Sequence, residues 1–189
     1  MRILQVANIK ESVGGPFVSV LNFHLALHAF SHENTLISIM NMIDFIRLKN
    51  SPHDMKVIPI FENGKETNPK RFNLKFIGKF LWNLKHFDVV HLHGFFIFNH
   101  IPMIILCRLF KKKISIQPHG SLMNYELAQL TLSKKGFLFI FKLLVFGISP
   151  IFVVTSKLEC EQLPRKLVKD SNQIFLTRYF RSEMLLYNN

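Results

Sequence analysis

Hydrophobic and polar positions along this chain form two alternating patterns. Short apolar runs bounded by polar residues are typical of buried strands, whereas apolar residues at every third or fourth position indicate helices that pack on a sheet. The apolar runs predict strands at Arg2 to Asn8, Thr35 to Met40, Lys56 to Phe61, Asp88 to His93, Lys113 to Pro118, Ile151 to Val154 and Gln173 to Leu176. The helical spacing predicts helices at Phe17 to Phe30, Lys70 to Lys85, Asn99 to Phe110, Tyr125 to Phe146 and Lys157 to Leu163.

This order of elements predicts one fold class. Strands separated by helices form βαβ units, which build an α/β, Rossmann-like, doubly wound and mostly parallel sheet with helices on both faces. Residues 1–176 are expected to form this domain, and 177–189 an irregular tail. The segment Asn41 to Asn68 is polar and predicts irregular structure around the short strand inside it, and Glu11 to Gly15 predicts a turn.

The composition narrows the class of partner. Lysine and arginine outnumber aspartate and glutamate by 24 to 12, and the resulting charge of +12 favours an anionic partner such as a phosphorylated ligand or an anionic membrane surface. A solvated basic surface without a partner is the alternative. Nucleic acid fits less well, because the chain has no helix-turn-helix, zinc or base-stacking motif. The two cysteines match neither a zinc site nor a disulfide scaffold, which favours a reducing cytoplasm.

Two segments bear on membrane location. Met1 to Ala7 is too short for a signal peptide. Gly136 to Thr155 is the best candidate for a span, but Lys142 interrupts it and Pro150 breaks it, whereas a span needs about 20 continuous apolar residues. A buried helix followed by a strand fits this stretch better, with a small membrane protein as the alternative. The basic charge agrees with a cytoplasmic protein that is peripheral at the inner membrane face.

The strand that ends at Pro118 carries the first candidate site. Proline cannot donate to a sheet ladder and holds the preceding residue extended, so the strand stops there. Gly120 then allows a tight turn or a close approach to a ligand. His119 is left at the carboxyl end of the strand, which is the edge where open α/β sheets bind ligands. It is therefore a candidate for chemistry.

A glycine pair marks the loop between the first strand and the first helix. Gly14 and Gly15 lie where backbone amides and a helix N-terminus attract phosphate. The full dinucleotide-binding fingerprint is absent, because Val18 stands where a third glycine is needed. A flexible turn is the alternative.

His91 and His93 form a second cluster. Side chains alternate along a strand, so both point to one face. A His-x-His pair with His119 could bind a metal, but the chain supplies no further acidic or cysteine ligand at a convincing spacing, so no metal is expected. A packed, hydrogen-bonded side chain fits His91 better. His93 lies beside Gly94 at the strand end and is the better candidate for ligand contact.

Two further motifs lie in the second half of the chain. Lys134 and Lys135 begin a helical run and could contact an anionic ligand, with a solvated helix end as the alternative. Ser156 and Glu159 have the spacing of a capping box, in which each side chain satisfies a backbone amide at the start of a helix. We interpret this box as mainly structural.

Together the motifs follow one pattern. In chain order they are Gly14 and Gly15, Asp88 to Gly94, Gln117 to Leu122, Ser133 to Lys135, and Val154 to Ser156 with Glu159. In this order and spacing the chain resembles the N-terminal half of glycosyltransferase family 4, over Met1 to about Leu163. Members of that family are retaining enzymes of the GT-B fold, with two Rossmann-like domains that face each other across a cleft.

The resemblance implies roles for single residues. It implies contacts with the donor phosphates and sugar at Gly14, Gly15 and Gly120, a catalytic histidine at His119, and acceptor-side contacts at His93, Gly94 and Ser121. It implies sugar transfer from a nucleotide-sugar co-substrate to a glycan or lipid-linked acceptor in cell-surface polysaccharide biosynthesis. It implies no cofactor and no essential metal.

The chain also departs from the family pattern. No two glutamates lie eight positions apart, so the Glu-x7-Glu motif of the donor-binding C-terminal domain is absent. Thr177 to Arg181 replaces the usual Ile-Pro-Asn-Gly entry into that domain. We therefore expect half an enzyme, truncated or paired with a separate C-terminal polypeptide, and weakly active or inactive alone. The rival hypothesis is a non-enzymatic, basic Rossmann-like module that binds anionic lipid or a glycan precursor.

Overall fold

The structure is a computed structural model that describes residues 1–8, 15–49, 56–61, 72–145, 148–168 and 174–176. Its strands are β1 (Arg2–Asn8), β2 (Glu33–Met40), β3 (Lys56–Phe61), β4 (Val89–His93), β5 (Lys113–Gln117), β6 (Ile151–Val154) and β7 (Ile174–Leu176). Its helices are α1 (Gly15–Ala29), α2 (Met42–Lys49), α3 (Leu74–Leu84), α4 (His100–Leu109), α5 (Asn124–Ala128), α6 (Leu132–Val145) and α7 (Lys157–Gln162). Each strand predicted from the sequence is present.

The described strands form one sheet in the order β3-β2-β1-β4-β5-β6-β7. Every neighbouring pair in it runs parallel. The chain builds outward from β1 in one direction and then returns to build outward from β4 in the other, so the connections reverse between these two strands. This is the doubly wound, Rossmann-like arrangement that the sequence predicts, and a crevice opens at such a reversal.

Alternation along β1 assigns the two faces of the sheet. Leu4 and Val6 belong to the larger apolar core, which is completed by buried side chains of α3, α4 and α6. Ala7 belongs to a smaller apolar cluster on the other face, together with Val20 of α1 and Leu48 of α2. Helices therefore cover both faces, as expected for a parallel sheet.

The face toward α1 is polar where it approaches the reversal. The buried polar side chains on the three central strands there are Gln5, His91, His93, Ser115 and Gln117. They alternate with apolar residues that point into the larger core. Ser19, Phe23 and His24 of α1 lie against this polar layer through hydrogen bonds and ring contacts. The polar layer leads directly to the carboxyl ends of β4 and β5.

One sequence prediction about helices is corrected and one is confirmed. The segment Asn41 to Asn68 is not irregular throughout, because α2 forms within it. The Asn41 side chain accepts a hydrogen bond from the Asp44 backbone amide at 2.7 Å and so caps the start of α2, and Leu48 is buried on the sheet. The helical segments predicted from about Tyr125 to Phe146 are two helices, α5 and α6, separated by a short turn.

No helix in the described residues is long and apolar enough to cross a membrane. The span considered at Gly136 to Thr155 contains most of α6 and then β6, which lies between β5 and β7 in the sheet. Phe137, Phe141 and Phe152 of this stretch are buried in the larger core. Packing against the rest of the domain explains these buried residues, whereas Phe139 and Leu143 of α6 are exposed.

Candidate functional site

His119 follows β5 in a turn of unusual backbone conformation. Its φ is +54°, in the left-handed region that side chains other than glycine rarely adopt, and Gly120 continues there with a φ of +78°. Hydrogen bonds hold this conformation. The Ser121 hydroxyl donates to the Pro118 carbonyl, and the Met123 backbone amide donates to the Gly120 carbonyl at 3.0 Å. The turn leaves the His119 ring partly exposed at the carboxyl edge of the sheet.

The rings of His93 and His119 form a pair. Their planes are nearly parallel with centroids 5.5 Å apart, and Nδ1 of His93 lies 3.3 Å from Nε2 of His119. Burial lowers the pKa of His93 well below its ordinary value. Burial also lowers the pKa of His119 to about 4, although the Glu159 carboxylate opposes this shift. Both rings are therefore neutral at physiological pH.

A chain of polar side chains continues behind this pair. Nε2 of His93 lies 2.9 Å from Oε1 of Gln5, and Nε2 of Gln5 donates to Oδ1 of Asn34 at 2.6 Å. The Asn34 amide donates in turn to the backbone carbonyl of His24 in α1 at 3.1 Å. Residues of β1 and β2, far from it in sequence, thus orient the His93 ring together with the Gln117 side chain of β5.

His91 is satisfied within the protein. Its Nδ1 lies 2.8 Å from the Ser115 hydroxyl and its Nε2 lies 3.3 Å from Oε1 of Gln117. Phe23 stacks on the ring at 4.1 Å, and burial lowers the pKa of His91 to about 3. His91 and His93 do share one face, as alternation predicts. In the described part of the chain, no group of three or more His, Cys, Asp or Glu side chains is arranged to hold a metal ion.

Glu159 has a role that the sequence does not reveal. Ser156 caps α7 by accepting a hydrogen bond from the Glu159 amide at 3.0 Å, as the capping box predicts. The buried Glu159 carboxylate, however, accepts from the Gly120 amide at 2.7 Å and from the Thr155 amide at 2.9 Å. It therefore fastens the His119 turn to the end of β6 and the start of α7.

Gly94 meets a steric and a conformational requirement next to His93. Its φ is +85°, and an added Cβ would lie 2.8 Å from Cδ1 of Ile97. We expect Gly94→Ala to lower the free energy of unfolding by about 1–2 kcal/mol, because alanine is strained in the left-handed region. Urea unfolding followed by circular dichroism measures this loss.

Gly78 provides the matched control. It lies within α3, and an added Cβ would meet no atom within 4 Å. Gly78→Ala is expected to raise the free energy of unfolding by about 0.5–1 kcal/mol, because alanine is the better helix former. Equal effects of the two substitutions would contradict the assignment of strain to Gly94.

The remaining predicted site residues are placed as follows. Gly14 lies outside the described residues, and Gly15 is the first residue of α1. Lys134 donates to Oε2 of Glu126 at 3.2 Å and lies 5.1 Å from the centre of the Phe96 ring, so its charge is balanced locally. Lys135 is exposed. Their predicted contacts with an anion, and the ligand contacts of Gly14 and Gly15, stay predictions.

Sequence reasoning missed Gln5 and Asn34 and assigned Glu159 only to the capping box, although all three support the histidine pair. Gln5, Asn34 and Glu159 each contact the site through side chains from other elements. One signal was available for Gln5, because a glutamine in an otherwise apolar buried strand requires hydrogen-bonding partners. No comparable signal exists for Asn34, which is one of several polar residues at the start of β2.

Comparisons with known proteins identify the architecture. No family model and no curated protein sequence matches this chain. Solved structures do match it. UDP-GlcNAc 2-epimerase from Methanocaldococcus jannaschii is 17% identical with a TM-score of 0.58, and the match covers 93% of this chain and 45% of that one. MurG from Acinetobacter baumannii is 12% identical with a TM-score of 0.57, covering 98% of this chain and 47% of that one.

A third neighbour extends the comparison to another enzyme. Sucrose-phosphate synthase from Thermosynechococcus elongatus is 17% identical with a TM-score of 0.55, and the match covers 94% of this chain and 47% of that one. The chain thus spans less than half the length of each of these proteins. Identities this low establish the fold alone. The chain has the α/β, Rossmann-like fold of one half of a GT-B enzyme.

Proposed function

We propose that this chain is the acceptor-side, N-terminal half of a retaining glycosyltransferase of family 4. It would act in cell-surface polysaccharide biosynthesis, where a sugar passes from a nucleotide-sugar donor to a glycan or lipid-linked acceptor. The observation that carries the proposal is the His93–His119 pair at the carboxyl edge of the sheet, beside the reversal between β1 and β4. Ligands of open α/β sheets bind at this position.

The surroundings of the pair agree with a nucleotide-sugar ligand. Helix α1 begins at Gly15 and has no acidic residue in its first turn, so its positive N-terminal end is not neutralised there. The structural neighbours include a UDP-GlcNAc 2-epimerase from Neisseria meningitidis solved with UDP-GlcNAc bound. In our proposal the Gly14 and Gly15 loop approaches the donor diphosphate, Gly94 and Ser121 line the acceptor side, and the buried His93 acts there through its contact with His119.

The neutral protonation state of the His119 ring limits what it can contribute to sugar transfer. A neutral imidazole cannot balance the charge of a departing diphosphate, so that stabilisation has to come from other groups. A neutral ring can instead accept or donate one hydrogen bond to a sugar hydroxyl and so orient the reacting carbon. We propose that His119 acts in this way, with Gly120 giving the sugar room. No metal or cofactor is required by this scheme.

Ligand binding tests the proposed site. The purified chain is titrated with UDP-GlcNAc, UDP-glucose and GDP-mannose by saturation-transfer NMR and calorimetry. We expect one of them to bind, and His119→Asn to weaken that binding about tenfold through loss of one hydrogen bond. Asparagine tolerates the left-handed backbone at this position. His86→Asn, at an exposed position away from the site, is the control. Absence of binding to all three nucleotides, both by the chain alone and after addition of a complementary donor-binding domain, would argue for the rival binding module.

Turnover tests the half-enzyme hypothesis separately. Because the chain spans less than half of each neighbouring enzyme, we expect little or no sugar transfer by the chain alone. Addition of a polypeptide that carries the complementary donor-binding domain is expected to restore it. Robust release of nucleoside diphosphate by the chain alone would contradict this hypothesis. Epimerised nucleotide sugar without an acceptor would indicate an epimerase instead.

An exposed apolar surface supports peripheral membrane binding. Helices α4 and α6 pack together, and their solvent faces expose Ile105, Leu109, Leu132, Phe139 and Leu143. Neither helix contains an acidic residue, and Arg108, Lys135 and Lys142 are basic. Apolar residues interleaved with basic ones fit an anionic lipid surface. We propose that this α4–α6 face rests on the cytoplasmic side of the membrane that holds a lipid-linked acceptor.

Vesicle flotation tests the α4–α6 face. The chain is expected to bind vesicles that contain anionic phospholipid and to bind neutral vesicles weakly, because both apolar burial and charge contribute. The double variant Phe139→Ser with Leu143→Ser should lose at least about tenfold in affinity. Ile43→Ser with Ile46→Ser, which removes exposed residues of α2 on the opposite face of the sheet, is the matched control. Equal losses for the two pairs would contradict the assignment.

A further inference from the structure

The polar chain behind His119 has a defined direction. It runs from Asn34 through Gln5 and His93 to His119, with contacts of 2.6, 2.9 and 3.3 Å. Its starting point is the contact between the Asn34 amide and the His24 backbone carbonyl. A carbonyl can only accept a hydrogen bond, so the Asn34 nitrogen must face it. The Asn34 oxygen is therefore left to face Gln5.

The orientation of the Asn34 amide determines the orientation of the Gln5 amide. The Asn34 oxygen accepts from the Gln5 amide nitrogen, and the second hydrogen of this nitrogen faces Nδ1 of His24 at 3.3 Å. The Gln5 oxygen then lies toward Nε2 of His93. Since an amide oxygen only accepts, Nε2 of His93 must carry a proton. The tautomer of His93 is thus set by residues of β1 and β2.

The tautomer of His93 in turn determines the tautomer of His119. His93 is neutral, so a ring with a proton on Nε2 has none on Nδ1, and Nδ1 accepts from Nε2 of His119. His119 is neutral as well, and its proton on Nε2 leaves Nδ1 as an acceptor. Among the described residues, Nδ1 of His119 has no hydrogen-bond partner, and the ring is only partly buried. This nitrogen can therefore meet a ligand.

We propose that Gln5 and Asn34 are positioning residues that fix the tautomer of His119 through His93. We call this series of contacts from Asn34 through Gln5 and His93 to His119 the relay. It makes Nδ1 of His119 a hydrogen-bond acceptor at the crevice. An acceptor at that point selects a ligand hydroxyl and disfavours a carbonyl or phosphate oxygen. The ligand chemistry rests on the proposed function, because a sugar supplies such hydroxyls. The tautomer itself does not depend on any ligand, so it can be tested in the chain alone.

Long-range ¹H–¹⁵N NMR on the histidine-labelled chain at pH 7 reads the tautomers directly, because a ring nitrogen without a proton resonates far downfield of a protonated one. Assignment uses single histidine substitutions. The relay predicts a proton on Nε2 in both His93 and His119. His91, whose two nitrogens contact Ser115 and Gln117, serves as an internal control in every spectrum.

Substitutions at Asn34 reverse or keep the relay. A lysine has donors and no acceptor, so Asn34→Lys should turn the Gln5 amide around, place its nitrogen toward His93 and move the His119 proton to Nδ1. Asn34→Asp keeps an oxygen facing Gln5 and should leave the wild-type tautomers unchanged. Asn34 lines an open cavity at the amino end of β2 together with Arg2, Glu33 and Lys56, so a residue of either charge has an oppositely charged neighbour there.

Gln5→Met provides a second test that does not depend on residue 34. It keeps the volume and removes the amide, so both rings should change from one tautomer to a mixture while His91 is unaffected. A His119 proton on Nδ1 in the wild type would overturn the proposal. So would an Asn34→Lys chain, folded by its His91 signals, that keeps the wild-type tautomers. A Gln5→Met chain with an unaltered His119 would do the same. Nucleotide-sugar titration is a separate measurement, so a failed relay and a failed proposed function give different results.

Discussion

Lowering the pH from 7 to 5 is expected to reduce the free energy of unfolding by about 4 kcal/mol through His91 and His100 alone. Burial lowers the pKa of each of these histidines to about 3. The unfolded chain exposes them, and its histidines bind protons from about pH 6.5 downward. Protons therefore bind the unfolded state first. The stability is fully present above pH 6.5 and is lost as the pH falls from there toward 3.

The size of this effect follows from the two pKa values. Between pH 6.5 and 3, each such histidine lowers the free energy of unfolding by roughly 1.4 kcal/mol per pH unit. His93 and His119 have pKa values lowered by burial too, so they act in the same direction. A domain of this size is stabilised by about 5–15 kcal/mol in total. We therefore expect acid unfolding to begin at mildly acidic pH.

His100→Leu isolates one of these contributions. His100 is buried in α4, and leucine there cannot take up a proton. Whatever its effect at pH 7, this variant should show a pH dependence of stability that is shallower by about 1.4 kcal/mol per pH unit between pH 6 and 4. Urea unfolding at a series of pH values measures it. Ile104→Val in the same helix is the control, because it should shift the whole curve down without changing its slope. Parallel curves for wild type and His100→Leu would contradict the prediction.

The sheet could be predicted from sequence because its signal is local. Each strand is a short apolar run, and in β1 the residues that face the larger core alternate with those that face α1. Strands separated by helices leave a parallel sheet as the expected arrangement. Helix α2 was missed because it is only eight residues long and its cap at Asn41 lies in a polar stretch.

The site could be predicted only in part, because only some of its features have a local signal in the sequence. The alternation of side chains along a strand places His91 and His93 on one face, and the sequence Pro118-His119-Gly120 places His119 at a strand end. The position beside Gly94 at the strand end separates His93 from a packed His91, but it does not show that Ser115 and Gln117 contact both nitrogens of His91 while His93 contacts His119. That difference depends on partners from other strands. Such contacts are set by the register of the sheet, which the sequence of a single strand does not contain.

Glu159 shows how far a local reading can mislead. As a capping-box residue, it would be expected to reach back to the amide of Ser156. Its carboxylate instead accepts from Gly120, 39 positions away in sequence, and from the Thr155 amide and hydroxyl. The residue is almost fully buried. Hydrogen-bond donors from the Gly120 backbone and from Thr155 therefore stabilise this buried carboxylate.

Removing this carboxylate should be among the most damaging single changes near the site. Glu159→Ala leaves the Gly120 amide and both Thr155 donors without their acceptor, and we expect a loss of about 3 kcal/mol in the free energy of unfolding. Glu159→Gln keeps the shape and one oxygen but turns an NH₂ group toward a backbone donor, so about 2 kcal/mol should be lost. Urea unfolding at pH 7 measures both values.

Glu161→Gln in the same helix is the matched control. Its carboxylate is largely exposed and makes only a 3.9 Å ion pair with Lys157, so less than about 0.5 kcal/mol should be lost. The Glu159 variants should also shift the NMR signals of His119, because the turn that carries its ring loses its attachment to α7. If Glu159→Gln and Glu161→Gln are equally stable, the buried carboxylate does not fasten the His119 turn. A stable Glu159→Gln with unshifted His119 signals would show the same, since the left-handed backbone at His119 and Gly120 would then be maintained by the turn's own hydrogen bonds.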